Sequence, residues 1–258
     1  MIGLALSLFS CKKEEAPVFV DSPVVESYLK PGDSLSVGIS RQVAFATNAV
    51  YSSENLDSLS VTVTINNNDY LLSPQGNGVY KSNYLVQEGD EYRLHFMFNG
   101  QAVSASTTIP ARPTNYSISA STLSIPQMNS SNIGNFTMPD PVELNWENND
   151  GSYYLVVVEN IESNPTPIRD TTGGDGPPDR VFRNQPTTSN TYEIRAMQFQ
   201  YYGTHRIILF HLNPDYAFLY SDNNSSSQNL STPQTAVTNG LGIFTGINAD
   251  TLMLEVTQ

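Results

Sequence analysis

The chain has 258 residues, which is enough for one or two domains. Acidic residues outnumber basic ones 25 to 12, and the net charge of −13 disfavours binding to nucleic acids or to anionic lipid headgroups. The one cysteine excludes an intramolecular disulfide, so stability must come from packing. The many aromatic, Asn, Ser and Thr residues favour strands and turns, and we predict an all-β protein.

The chain begins with an apolar run at residues 1–9, followed by Ser10 and Cys11. The run is much shorter than the roughly 20 residues that span a bilayer. A lone cysteine directly after such a run is typical of a bacterial lipoprotein signal, in which the leader is removed and the cysteine is acylated. We therefore expect residues 1–10 to be a signal peptide and residues 11–19 a lipidated polar stalk. The alternative is that residues 1–9 form an ordinary strand and that Cys11 is a buried thiol.

Four charged residues follow the cysteine, namely Lys12, Lys13, Glu14 and Glu15. A segment of this kind resembles the surface export signal of Bacteroidota lipoproteins, which directs them to the outer leaflet of the outer membrane; the alternative is a charged stalk without a signal. The two or three acyl chains of a lipidated cysteine anchor a protein effectively permanently. The expected localisation is therefore the outer membrane, lipid-anchored at the cell surface.

Residues 20–110 contain about seven short segments in which apolar residues alternate with polar ones, as in strands with one buried face. Turn residues separate the segments. Lys30-Pro31-Gly32-Asp33 joins the first two strands into a hairpin, residues 74–78 form a loop, and Asn99-Gly100 favours a type I′ turn. The absence of helical patterns between them predicts an immunoglobulin-like antiparallel sandwich over residues 20–110.

Residues 111–114 form a linker that Pro110 and Pro113 stiffen, and residues 115–258 form a second sandwich. Residues 142–146 and 153–159 resemble strands B and C of a fibronectin type III domain, where a Trp and a strand-C Tyr pack across the two sheets. Residues 206–212 and 251–256 would then be its last two strands.

Two insertions distinguish the second sandwich. Residues 161–190 form a loop that is too rich in Pro and Gly to hold regular structure. Residues 213–220 begin with Asn and Pro, which predicts a short helix.

Several short motifs carry a family resemblance, among them Gly78-Val79-Tyr80, residues 89–94, Asp215-Tyr216 and residues 240–244. Together they resemble an uncharacterised family of Bacteroidota outer-membrane lipoproteins, whose members are often encoded beside TonB-dependent receptors. The resemblance implies location and architecture, with a TonB-dependent receptor as a possible partner. It implies no catalytic activity.

The sequence offers no catalytic motif, and we predict a protein that is not an enzyme and needs no cofactor and no metal. His205 and His211 lie on one predicted strand, about 20 Å apart, which is too far to bind one metal ion. His95 alternates with core residues and points outward. The glycines of residues 240–246 precede no helix. A close approach to a neighbouring backbone therefore explains them better than nucleotide binding does.

The candidate binding residues fall in the second sandwich. Paired aromatic side chains on a β surface can stack on sugars or anchor a protein interface, and an acidic loop can bind calcium, although the spacing here favours a solvated loop. The loop also contains Thr171, in a motif that resembles Bacteroidota O-glycosylation sites. The candidates are Trp146, Phe199, Tyr201 and Tyr202 for the aromatic face, and Asp170, Asp175 and Asp179 for the loop.

These observations predict a non-catalytic, surface-anchored accessory lipoprotein that binds a partner, with a TonB-dependent outer-membrane receptor as the preferred one. The alternative is a lipoprotein that captures a glycan or a peptide directly. In a third interpretation, the first sandwich is a spacer that holds the second away from the membrane.

Overall fold

The computed structural model describes residues 19–43, 50–127, 137–169, 177–220 and 235–258. Within these ranges the chain forms sixteen strands, two short 3₁₀ segments and one short α-helix. The strands make sheets of nine, four and three strands, which confirms the predicted all-β class of two immunoglobulin- and fibronectin-like sandwiches. No helix in the described part of the chain is both long and apolar enough to cross a membrane.

Eight strands build the first sandwich. They are β1 (Pro23–Leu29), β2 (Ser34–Arg41), β3 (Thr62–Ile65), β4 (Asn68–Leu71), β5 (Ser73–Gly76), β6 (Val79–Leu85), β7 (Glu91–Phe98) and β8 (Gln101–Thr108). One layer has the order β1-β2-β6-β5 and the other the order β4-β3-β7-β8. The prediction that residues 74–78 form a loop is wrong in part, because β5 pairs there with β6 in an irregular register.

Alternation of apolar residues explains the first core. In β7 every second side chain is buried, and these are the large residues Tyr92, Leu94, Phe96 and Phe98. The turn after β7 follows the prediction, since Asn99 and Gly100 both have positive φ (50° and 75°), as a type I′ turn requires. The β1–β2 hairpin is also formed as predicted.

The other elements belong wholly or partly to the second sandwich. They are β9 (Ser117–Ile118), β10 (Thr122–Ser124), β11 (Val142–Asn145), β12 (Tyr153–Asn160), β13 (Val181–Arg183), β14 (Thr191–Ile194), β15 (Gly203–Leu212), α1 (Pro214–Phe218) and β16 (Leu241–Thr257). The order β14-β11-β9 faces β13-β12-β15-β16. Trp146, directly after β11, packs on Tyr154 of β12 with ring centroids 5.6 Å apart. The expected contact between the two sheets is therefore confirmed.

Strand β16 joins the two sandwiches into one continuous sheet. Its first part, up to Gly246, pairs in parallel with β1, and its second part, from Ile247, pairs antiparallel with β15. Val237 and Phe244 are buried in the first core, not the second. The prediction that all of residues 115–258 form the second sandwich is therefore wrong for residues 237–246, which complete the first.

The linker between the sandwiches is held by polar contacts. Asn248 is buried and donates hydrogen bonds to the Pro110 carbonyl and to Glu88 Oε2, both at 2.9 Å. Arg112 forms an ion pair with Asp250 at 2.5 Å. Each pair joins a residue of β16 to the linker, or to the β6–β7 loop of the first sandwich. The linker is thus fixed to the strand that both sandwiches share.

The two predicted insertions have different outcomes. The helix is confirmed as α1. The loop at residues 161–190 holds more structure than predicted, because it contains β13 and buries Ile168 in the second core. Pro167 also forms a β-bridge with Tyr201. Residues 170–176 of the loop lie outside the described residues.

Candidate functional site

The four aromatic residues predicted to form a binding face do not form one. Trp146, Phe199 and Tyr201 are buried, and Tyr202 is partly buried against the second core. The Tyr201 hydroxyl donates to the Pro178 carbonyl at 2.8 Å, and the Tyr202 hydroxyl to the Ile125 carbonyl at 2.9 Å. The expectation of an exposed ring at 201 or 202 assumed a regular strand, whereas β15 begins only at Gly203 and both rings are covered by neighbouring loops.

The remaining predicted site residues fall mostly outside the described ranges. Cys11, Lys12, Lys13, Glu14 and Glu15 lie there, as do Asp170, Thr171 and Asp175. Asp179 is described and is exposed. No group of three or more His, Cys, Asp or Glu side chains that could hold a metal ion occurs in the described ranges. Calcium binding by the loop and glycosylation of Thr171 stay predictions.

The histidines have separate environments. His95 is exposed, as predicted. His205 is buried, its Nδ1 lies 2.9 Å from the Gly203 carbonyl oxygen, and burial lowers its pKa. The His211 ring stacks on Tyr154 at 4.8 Å, and its Nδ1 donates to the Ala111 carbonyl at 2.7 Å. His205 thus packs in the second core, while His211 holds the linker.

An aromatic surface that the sequence did not indicate lies where the two sandwiches meet, and we call it the junction patch. Its six residues come from β1, β12, β13 and the segment that contains α1. They are Tyr28, Tyr153, Arg183, Tyr216, Phe218 and Tyr220. None is fully buried, and Tyr28 and Phe218 are 43 % and 45 % exposed.

The rings of the junction patch contact one another in two groups. Tyr216 lies between Tyr28 and Tyr220, with centroid distances of 5.7 Å and 5.8 Å, and Tyr153 contacts Phe218 at 6.3 Å. The Arg183 guanidinium lies 5.7 Å from the centre of the Tyr220 ring. Edge-to-face and cation–π pairs of this kind hold side chains in defined positions.

Helix α1 carries the centre of the patch, and polar contacts fix it to the first sandwich. Asn213 occupies the N-cap position, but its side chain does not cap the helix. Instead, its amide donates to Thr107 Oγ1 and the Thr108 carbonyl, both at 2.9 Å, and to the Gly246 carbonyl at 3.2 Å. These partners all belong to the first sandwich, whereas the helix directly follows β15 of the second, so it is attached to both.

Asp215 adds a second attachment. Its Oδ1 accepts a hydrogen bond from Thr245 Oγ1 of β16 at 2.9 Å and another from the Tyr216 amide at 3.0 Å. Burial raises the pKa of Asp215, although these hydrogen bonds act in the opposite direction. Because Ala217 is also buried, the helix packs one side against the sheet and leaves Phe218 exposed.

Tyr28 and Tyr216 of the patch remain neutral in ordinary solution. Burial raises the pKa of Tyr28 and of Tyr216, and a hydrogen bond between the Tyr216 and Tyr220 hydroxyls raises that of Tyr216 further. The surface therefore offers flat apolar rings, phenol groups that can donate hydrogen bonds, and one cation at Arg183. These are the residue types that dominate the energetics of protein interfaces.

A groove of about 740 Å³ beside β14 is a weaker candidate; its lining includes Thr191, Glu193 and Met197. An edge strand could accept a peptide by backbone pairing. However, Ser189 Oγ contacts both the amide and the carbonyl of Thr191, and the Gln198 side chain accepts from the Arg195 amide. Backbone groups at both ends of β14 are thus already hydrogen-bonded to side chains of this chain.

Only part of the junction patch could have been recognised from the sequence. Tyr216 and Tyr220 are four residues apart in a predicted helix, so they share one face. Tyr28 and Tyr153 are on strands far apart in the chain, and only the pairing of β1 with β16 brings the first of them to the helix.

Two solved structures have a low similarity to this chain. The chicken CNTN1 FN1–FN3 domains match 95 % of this chain and 67 % of their own, with 10 % identity and a TM-score of 0.28. The ICAM-5 D1–D4 ectodomain fragment matches 90 % of this chain and 53 % of its own, with 11 % identity and a TM-score of 0.20. No curated protein matches the chain. The model of the domain of unknown function DUF4249 matches residues 14–252, and the chain therefore belongs to the DUF4249 family.

Proposed function

We propose that the protein is a non-catalytic binding module that is anchored to the outer membrane through Cys11 and docks a protein partner on its junction patch. The observation that carries the proposal is the patch itself, in which five aromatic rings and one arginine are held on backbone from both sandwiches. Tyr and Arg are enriched among the residues that contribute most to protein binding.

The rigid support of the patch favours binding. Association costs free energy for every side chain that it must order. Here Asn213 and Asp215 fix the helix, and ring contacts restrain the tyrosines before any partner arrives. The same residues could not be rearranged around ligands of different shapes, so the surface suits one partner of complementary shape.

We further propose that the partner is a TonB-dependent outer-membrane receptor and that the protein acts as its accessory on the surface of a Bacteroidota cell. Support comes from the leader and Cys11 pattern, from the charged residues that follow it, and from the resemblance of its motifs to lipoproteins encoded beside such receptors.

Affinity capture from solubilised outer membranes tests the proposal. We expect the wild-type protein to recover one β-barrel receptor, and Tyr28→Ala combined with Arg183→Ala to lose it. Truncation of one interface hot spot costs about 2 kcal/mol or more, which is roughly a thirty-fold loss of affinity. Tyr70→Ala is the matched control, because Tyr70 is a partly buried tyrosine that pairs with Tyr84 at 4.9 Å, far from the patch.

Two results would contradict the proposal. Equal recovery of the receptor by the double variant and the wild type would remove the junction patch as the docking surface. Binding of the wild type to a glycan array, lost in the double variant while no receptor is recovered, would favour direct glycan capture.

A further inference from the structure

A second exposed apolar region lies at the opposite end of the first sandwich from the junction. Here β1 begins, β2 ends and the β7–β8 turn reverses the chain, and Asn99 of that turn donates from its side chain to the Asp21 carbonyl at 3.4 Å. The segment before β1 also contacts the chain that follows β2, since Asp21 accepts a hydrogen bond from the Ser52 amide and Phe19 packs on Tyr51. We call their apolar residues the apolar tip; they are Phe19, Val20, Val43, Val50 and Tyr51.

The valines of the apolar tip are among the most exposed large apolar residues of the described chain. Val43 and Val50 are 83 % and 82 % exposed, and Val20 is 65 % exposed. Tyr51 is 43 % exposed and packs against the Phe19 ring at 5.3 Å. Scattered apolar residues on a surface are ordinary, whereas several at one end of a domain indicate a surface that contacts something apolar.

The side chains of the two acidic residues at this end, Asp21 and Glu54, are engaged by hydrogen bonds within the protein. Asp21 is nearly buried, and its Oδ2 pairs with Arg41 at 2.5 Å and accepts from the Ser52 amide at 2.7 Å. Glu54 accepts a hydrogen bond from the Asn99 amide at 2.5 Å, and its carbonyl accepts one from Arg41. The ion pair with Arg41 therefore compensates the negative charge of Asp21 beside the tip.

Covalent geometry brings this end close to any lipid on Cys11. Phe19 follows Cys11 by eight residues, which span at most roughly 28 Å when fully extended. A tether this short produces a high effective concentration, so that even a weak contact is populated.

From the apolar tip, the ion-paired Asp21 beside it and the short tether, we infer that the end of the first sandwich rests on the lipid bilayer. Phe19, Val20, Val43, Val50 and Tyr51 enter the headgroup region. Burial of the valine side chains is favourable and needs no specific orientation, and tyrosine is enriched at the headgroup level. The junction patch is then held away from the membrane by the length of the first sandwich. This inference rests on the proposed anchoring through Cys11.

Site-specific fluorescence in the full lipidated protein tests the contact. Acylation consumes the thiol of Cys11, the only cysteine, so a Val50→Cys variant carries one reactive thiol for an environment-sensitive dye. In vesicles of phosphatidylcholine and phosphatidylethanolamine that contain spin-labelled lipid, we expect a blue shift and strong quenching. Ile161→Cys is the matched control, because Ile161 is an apolar residue, 43 % exposed, just after β12 in the second sandwich. We expect no quenching there.

A second variant shows whether the protein surface, and not the dye itself, makes the contact with the membrane. Val20→Ser and Val43→Ser, added to the labelled Val50→Cys protein, should reduce the quenching while the far-ultraviolet circular dichroism is unchanged. Unaltered quenching in this variant would contradict a contact made by the tip.

The contact and the anchor fail in different ways. Protein that floats with the vesicles but shows no quenching at position 50 would overturn the membrane contact and leave the anchor intact. Protein that does not float, and whose dye also labels Cys11, would overturn the anchor and with it the inference.

Discussion

The two sandwiches differ in how far each depends on the other. The first core is built from residues between Val25 and Ile109, but it also contains Val237 and Phe244 from near the end of the chain. Among the described residues, the second core extends from Leu123 to Val256 and contains no residue of the first sandwich. The first sandwich is therefore incomplete until the C-terminal segment has been added, whereas the second is self-contained.

This asymmetry explains how two small domains can hold a binding surface between them. In a chain with a flexible linker, residues from different domains would form a surface only part of the time. Here β16 pairs with both β1 and β15. The contact between Tyr28 of the first sandwich and Tyr216 is therefore maintained. The shared strand thus supports the junction patch.

Gly242→Ala should have the largest effect on the pairing of β16 with β1, which connects the two sandwiches. Gly242 has a φ of +95°, and a Cβ atom there would lie 2.0 Å from the Val25 carbonyl oxygen. The positive φ alone costs alanine about 1–2 kcal/mol. The atoms that the Cβ would meet belong to the backbone of Val25, so the clash can be relieved only if β16 moves away from β1. We expect the free energy of unfolding to fall by more than about 3 kcal/mol in urea titrations.

Gly89→Ala is the control for this prediction. Gly89 also has a positive φ, of +79°, but nothing lies within 4 Å of a Cβ atom there. It should therefore lose only the conformational part, about 1–2 kcal/mol. Equal losses in the two variants would mean that the close approach of β16 to β1 contributes nothing.

The shared strand also marks the limit of what the sequence could predict. Alternation in β1, β2 and β7 and the Asn99-Gly100 turn depend on neighbouring residues, so local patterns sufficed for them. Strand β16 is seventeen residues long, but its pattern changes where it leaves one core for the other, so only its last part was predicted. The site was missed for the same reason: it needs the pairing of distant strands, whereas adjacent aromatic residues at 201 and 202 suggested a surface that loops cover.

Phe244→Ala tests whether the first sandwich depends on the C-terminal segment. Phe244 is fully buried in the first core, and loss of a buried phenylalanine costs about 3–5 kcal/mol. We expect the amides of β3 and β7 to lose protection from hydrogen exchange. Trp146 is the only tryptophan and lies in the second core, so its fluorescence midpoint in urea should change little.

The control lies on the same strand. Met253→Ala removes a side chain that is 47 % exposed in the half of β16 that pairs with β15, and it should change stability by less than about 0.5 kcal/mol. If Phe244→Ala moved the Trp146 transition by as much as it destabilised β3 and β7, the sandwiches would unfold as one unit and the asymmetry would be wrong.

Asn248→Ala sharpens the comparison at the linker. Asn248 is buried and donates to the Pro110 carbonyl and to Glu88 Oε2, and both of these partly buried hydrogen bonds would be lost. We expect a loss of about 1–3 kcal/mol in urea titrations, with a broader distribution of distances between labels on the two sandwiches. Asn149→Ala, which removes one exposed hydrogen bond to Glu147, should leave both measurements unchanged.

The smallest effect should come from pH and should be confined to the second sandwich. Burial lowers the pKa of His205 below its ordinary value of 6.5, against the opposing charges of Glu255 and Glu162. The unfolded chain therefore takes up a proton at a higher pH than the folded protein does, and stability rises with pH between the two pKa values. The contribution of neutral His205 is complete above pH 6.5 and is lost as the pH falls from 6.5 towards the lower folded value.

His205→Gln removes this titration and keeps a polar side chain beside Asn160. We expect the urea midpoint of Trp146 fluorescence to fall between about pH 8 and about pH 5.5 in the wild type and to fall less in the variant. His95→Gln, at an exposed position of β7, should behave like the wild type. Because His95 belongs to the first sandwich and His205 to the second core, a pH response that His95→Gln abolished would place the sensitive group in the first sandwich.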